Sequence, residues 1–170
     1  MEKKLLDALN AQINEELYSS YLYLSMATDS AIRGYPGFAN WFRVQAEEEM
    51  FHSMKFYQFV MERGERVVLD AIKAPEVSWE TPLASIKAAL AHEKHITGRI
   101  NSLYRIARET FDPATEIFLQ WFVTEQVEEE ANVSDIVQRL EQAAQVPSIL
   151  IMLDRELATR PHLYTLPVAN

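Results

Sequence analysis

At 170 residues, with 48% hydrophobic and 24% charged side chains, the chain has the composition of one soluble domain with a sizeable core. Zero cysteines exclude disulfides, thiolate metal sites and thiol nucleophiles together, and four glycines argue against a loop-rich or all-β chain. A net charge of -9 points away from nucleic acid and anionic membranes and toward cations.

The opening segment MEKKLLDALN lacks the unbroken apolar core of a signal peptide. No apolar run reaches the roughly 20 residues that a bilayer span needs, so a cytoplasmic location is expected. From about Glu2 to Ser30, Leu6, Leu9, Ile13, Leu17, Leu24 and Ala27 recur at helical steps, predicting a first long amphipathic helix. RGYPG, Arg33 to Gly37, reads as a tight turn, and a second helix follows from about Phe38 to Arg63, stopped by Gly64. A short connection makes these two helices antiparallel neighbours. The stretch from Gly64 to Thr81 has no helical period; about 18 residues can reach ~60 Å, whereas a helix of about 27 residues measures only ~40 Å. It can therefore run the length of a bundle and start the third helix in the direction of the second. Thr81 as N-cap with Pro82 opens that helix, which continues to about Glu109, and Asp112 with Pro113 opens a fourth, ending near Gln145. Pro147 breaks the chain, and SILIMLDRELATR predicts a short fifth helix. Its Ile149, Leu150, Met152 and Leu153 exceed what one end of a four-helix core can use, so subunit contacts are expected there. The tail from Pro161 reads as a loosely held extension.

Each long helix interrupts its apolar stripe near the middle. Positions seven apart share a helix face. By that spacing Glu49 lies between Phe42 and Phe56, His52 between Gln45 and Phe59, and Glu16 between Leu9 and Tyr23. Glu93 lies between Ile86 and Ile100, Glu129 between Phe122 and Ile136, and Gln126 between Leu119 and Val133. A lone ExxH is more often a chance pair on a solvated face, but four helices with acids in register are not. Four buried carboxylates raise one another's pKa, and two divalent cations would balance them. Oxygen ligands with a single imidazole suit iron or manganese better than zinc.

The segments NEELYSSYLY, QAEEEMFH, AHEKHI and LQWFVTEQVEEE resemble the ligand-bearing segments of the ferritin family, over Leu5 to about Arg160. The resemblance implies an all-α, ferritin-like four-helix bundle with a long crossover and a short C-terminal helix, one domain over residues 1 to 170. It implies a ferroxidase that oxidises iron(II) with dioxygen and deposits ferric mineral inside a shell of 24 subunits. Glu16, Glu49 and His52 would hold a first iron; Glu49 would bridge to a second held by Glu93 and Glu129, with Gln126 hydrogen-bonding water or dioxygen. Tyr23 and Trp121 match family aromatics beside the centre, although Trp121 is as readily an ordinary core aromatic. Glu48, Glu125 and Glu128 match a third, weaker iron site of prokaryotic ferritins; otherwise they form a charged solvent face. Glu116 matches an acid of the three-fold pore, with Leu119 in place of a second one.

Bacterioferritins, which are similar, carry a second ExxH on the fourth helix; Gln126 and Glu129 stand at that spacing here, as in the haem-free branch. Met50 falls where bacterioferritins ligate haem, but methionine on a helix usually packs, so haem is not expected. His92 and His95 flank Glu93 and read as surface or interface residues. Rival readings are a shell subunit with an inactive metal layer, a haem-binding bacterioferritin-like protein, and a di-iron or di-manganese oxidase acting on an organic substrate.

Overall fold

The computed structural model describes residues 1–143, 146 and 148–164. Among them are five helices and no strand: α1 (Lys3–Ile32), α2 (Pro36–Glu62), α3 (Pro82–Glu109), α4 (Pro113–Ala143) and α5 (Ser148–Leu157). The expected end of the fourth helix at Gln145 and the break at Pro147 lie outside the described residues. None of the helices is long and apolar enough to cross a membrane.

Two apolar clusters fix the helix directions. One joins the late part of α1 (Leu22 to Ala27) and the end of α4 (Val133 to Leu140) to the starts of α2 (Phe38 to Ala46) and α3 (Ile86, Ala89). The other joins the start of α1 (Leu5 to Ile13) and of α4 (Leu119, Phe122) to the late parts of α2 (Phe56, Val60) and α3 (Ile96 to Ala107). Thus α2 and α3 run parallel, α1 and α4 run against them, and residues 63–81 cross the full bundle. This is the ferritin-like four-helix bundle with its long crossover and short fifth helix.

An irregular crossover needs partners for its backbone groups, and polar side chains of α1 supply them in order. Asn10 donates to the Arg66 carbonyl and accepts from the Val68 amide; Asn14 donates to Ala71, and Ser25 to Glu76. Asp29 accepts from the Trp79 amide, and Arg33 donates to Glu80. The strap keeps pace with α1 from one end to the other.

The starts of α3 and α4 follow the sequence signals: Thr81 Oγ1 accepts from the Ala84 amide at 3.1 Å, and Asp112 Oδ1 from the Thr115 amide at 3.0 Å. Arg63 grips Asp112 with two hydrogen bonds of 2.8 and 2.9 Å, which holds that carboxyl down at about 2. The first turn departs from expectation. It is shorter than RGYPG, because Pro36 occupies the first position of α2 and Gly37 is already helical. Tyr35 offers no side-chain cap; instead Asp154 of α5 accepts from the Gly37 and Phe38 amides at 2.8 and 3.1 Å, a cap supplied from the far end of the chain. A Cβ on Gly37 would lie 1.6 Å from the Asp154 carbonyl oxygen, so only glycine lets α5 seat there. Gly37→Ala should therefore cost about 1–3 kcal/mol and lower Tm by about 2–4 °C for each of those. A circular-dichroism melt that matches the native protein would show that α5 is not held at this contact.

Other expectations need correction. Leu24 is 48% exposed, off the α1 stripe; one residue after fully buried Tyr23, it is turned ~100° from the face that Tyr23 buries. Residues 161–164 are not loose, since His162 Nδ1 and the Leu163 amide bond the Glu47 carboxylate at 2.7 and 2.8 Å. On α5, Leu153 is fully buried and Leu150 packs on the core, while Ile151 and Met152 face outward.

Candidate metal centre

Between the two apolar clusters lies one polar layer. In α1 the apolar contacts stop at Ile13 and resume at Leu22; in α2 they stop at Ala46 and resume at Phe56. In α3 the gap falls between Ala89 and Ile96, and in α4 between Phe122 and Val133. Glu16, Glu49, His52, Glu93, Gln126 and Glu129 fill it, each at most 4% exposed.

Ligand atoms of Glu16, Glu49 and His52 lie within 4.8 Å of one another, the tightest such group among the described residues. Glu49 Oε2 is 3.3 Å from His52 Nδ1. Glu93 and Glu129 stand close enough to Glu49 to act on its charge but do not form a second group of that compactness. Tyr23, fully buried, donates its hydroxyl to Glu93 Oε1. Gln126 Nε2 reaches Glu93 Oε2 and the Glu93 carbonyl, both at 3.2 Å. Further amides orient the acids: Gln12 donates to Glu16 Oε1 at 2.9 Å and is itself held by Arg99, while Gln45 donates to Glu129 Oε2 at 2.9 Å. One oxygen is left over. Among the described residues no amide, hydroxyl or cationic donor reaches Glu16 Oε2, although it is buried; its acidic neighbour is Glu49.

Burial dominates the electrostatics. It pushes the Glu16 carboxyl up to about 7, with Glu93 adding to the effect and Gln12 and Arg99 opposing it. Glu129 rises to about 8 by burial and then by the charges of Glu93 and Glu48. Glu49 is driven well above the usual carboxylate range by burial and by Glu93, Glu16 and Glu129. Glu93 also rises, though its bonds from Tyr23 and Gln126 work against this. Burial, helped by Lys55, lowers His52 to about 4, so its 3.3 Å contact with Glu49 is that of a neutral imidazole and no ion pair. A neutral imidazole, an orphaned carboxyl oxygen and acids short of counter-charge are the donors a pair of divalent cations needs.

The sequence model of the ferritin-like domain matches residues 6–143. The chain belongs to the ferritin family. It is 40% identical to a bacterial non-heme ferritin of Staphylococcus epidermidis over 160 residues, 94% of this chain and 96% of that one. A bacterial non-heme ferritin of Staphylococcus aureus is 38% identical over the same share of each. Among solved structures, the open-pore ferritin of Archaeoglobus fulgidus superposes with a TM-score of 0.93 at 47% identity, over 95% of this chain and 99% of that one. A humanized archaeal ferritin gives 0.93 at 48% identity.

Around the polar layer of this ferritin chain, Trp121 stands with its ring 5.5 Å from that of His52, edge to face, and under Lys55. It is 36% exposed and is not an ordinary core aromatic. Glu48, Glu125 and Glu128 share one flank: burial raises Glu48 and Glu125, Glu128 adds to both and Glu48 adds to Glu125, but they do not close into a compact group. Glu48 is half-buried and Glu128 exposed. His92 corrects the surface reading: it is half-buried, 2.7 Å from Ser19 Oγ and packed on Tyr18 and Tyr23, whereas His95 is exposed. Glu116 is half-buried in the first turn of α4, Leu119 is fully buried in the core, and Met50 is 40% exposed. Gln12 and, as a positioning group, Gln45 carry no seven-residue signal of their own. Each sits four residues before a layer carboxylate, the signal that could have found them.

Proposed function

We propose that this chain is one ferritin-like domain, residues 1 to 170, that stores iron and acts as a ferroxidase on iron(II) with dioxygen in the cytoplasm. Glu16, Glu49 and His52 take up one iron(II), and Glu49 bridges to a second held by Glu93 and Glu129. Paired ions supply two electrons to one dioxygen, and the carboxylates favour the more highly charged iron(III). Gln126 hydrogen-bonds water or dioxygen beside Glu93. Tyr23 can pass a third electron to the same dioxygen, with its proton going to Glu93 Oε1, the atom its hydroxyl already faces. The observation that carries this reading is Glu16 Oε2, an acid oxygen buried with no donor beside a second acid and a neutral imidazole. Burying it without a cation would cost several kcal/mol.

Glu48, Glu125 and Glu128 form a third, weaker iron site on the flank. Glu128→Ala should change the oxygen consumed per iron while keeping the initial fast phase; loss of the fast phase would place Glu128 in the first pair. Ferric iron collects inside a shell of 24 copies of the 19.6-kDa chain, about 470 kDa, because one subunit encloses no cavity for a mineral. Native mass spectrometry and anaerobic iron(II) titration test the reading together. A monomer, or a protein that takes up no iron(II), would rule it out.

A further inference from the structure

The residues that follow α5 return to the metal layer. Asn40 of α2 donates to the carbonyls of Leu157 and Arg160 at 3.1 and 3.0 Å, which sets the backbone of Arg160 against α2. The guanidinium lies 5.4 Å from the Trp41 ring. One of its nitrogens donates to Glu48 Oε2 at 2.6 Å and another to Gln45 Oε1. Gln45 in turn donates to Glu129 Oε2 at 2.9 Å. One side chain thus holds a cation on Glu48 and also turns the Gln45 amide so that its NH2 faces Glu129.

We infer that Arg160 is a built-in competitor for the third iron: its guanidinium, bonded to Glu48 and anchored through Gln45 to Glu129, keeps that iron weakly held and exchangeable. The inference rests on Glu48, Glu125 and Glu128 forming the third site. The reason is elementary. A carboxylate that already accepts a charge-assisted hydrogen bond has less charge to offer a second cation, and the planar fork of arginine fits this bridging position better than an ammonium would. The neighbours keep the competitor in place when an ion arrives. Asn40 holds the Arg160 backbone carbonyl, and Asp154 holds α5 on the first turn of α2. The guanidinium can swing away from Glu48 without the segment leaving.

The test is anaerobic iron(II) binding to the assembled protein by titration calorimetry, with no turnover involved. Arg160→Gln removes the charge and should tighten the third ion at least tenfold, while the first ion, placed on Glu16, Glu49 and His52 away from the Arg160 contacts, keeps its affinity. Arg160→Lys keeps the charge but cannot reach Gln45 and Glu48 together, and should fall between. Native mass checks assembly of both; if Arg160→Gln does not assemble, the lysine variant decides alone. A third ion bound no more tightly in the variants than in the native protein overturns the competitor and leaves the third site standing. Only two ions bound in the native and variant proteins alike, with Glu128→Ala no different, removes the third site itself and the inference with it.

Discussion

Glu49→Ala loses the fast phase of iron(II) oxidation by at least about a hundredfold, and His52→Ala does the same. Glu49 is the acid whose charge is coupled to three others, Glu93, Glu16 and Glu129, and its oxygen lies beside His52. Under the proposed reading, removing it takes away the carboxylate that bridges both ions and leaves Glu16 and His52 as too small a set for the first. His52 contributes differently. Its imidazole is neutral throughout the physiological range because burial holds it at about 4, so it is a ligand ready without proton loss. Dioxygen uptake after mixing with iron(II) measures both. Rates equal to those of the native protein would mean that oxidation happens elsewhere on the shell. Neither variant should unfold, since each shortens a side chain that the metal-free fold bears at a cost.

That cost sets the second expectation: the metal-free protein becomes less stable as pH rises from 6.5 to 8. Unfolded, Glu16 and Glu129 ionise near 4.5; folded, they hold their protons to about 7 and about 8. Below 4.5 both states are protonated and nothing is lost. In the folded state these two carboxyls keep protons that the unfolded chain has lost, and their loss of stability is complete above 8. Below 6.5 His52 opposes them: held at about 4 when folded, its imidazole is neutral where the unfolded one is charged, and His92, also lowered by burial to about 4, acts the same way. Above 6.5 the carboxyls act alone, and each pH unit over which one is ionised only when unfolded costs about 1.4 kcal/mol. Glu16 up to about 7 and Glu129 up to about 8 together amount to about 3 kcal/mol, a fall in Tm of about 10 °C for a chain of this size. Asp112, held at about 2 by Arg63, titrates below this window. Zinc(II) or manganese(II) at two per chain should flatten the curve, because the bound cations replace the protons. Differential scanning calorimetry of the apoprotein across this range decides it; a Tm that climbs toward pH 8 would show that another positive charge already compensates these acids.

The helix plan was legible because its signals are local. Pro82 after Thr81 and Pro113 after Asp112 mark helix starts within two residues, and the caps they announce are formed. The buried polar layer was legible for a different reason: an acid seven residues from apolar neighbours on both sides has nowhere else to point. What stayed hidden depends on neighbours distant in sequence or on position around the helix. Leu24 follows fully buried Tyr23 by one residue and so is turned ~100° from the face that Tyr23 buries. His92 was placed outside because Ser19 and Tyr23, which enclose it, belong to another helix. Arg160 and His162 carry no signal at all. Their partners Glu48 and Glu47 lie more than a hundred residues earlier, and only the seating of α5 against Gly37 brings the ends together.

The strap along α1 also limits how large this bundle can be. Its rungs pair residues 66 to 80 with positions 10 to 33, so roughly 14 steps of irregular chain cover the ~35 Å of 23 helical ones. Fully drawn out, the same stretch would reach only ~46–50 Å. It works as a measuring tape with little left on the reel: one added heptad in every helix, about 10 Å, would pull it nearly taut and strip the rungs from their carbonyls. Longer bundles of this design are closed to the protein unless the tape lengthens with the helices.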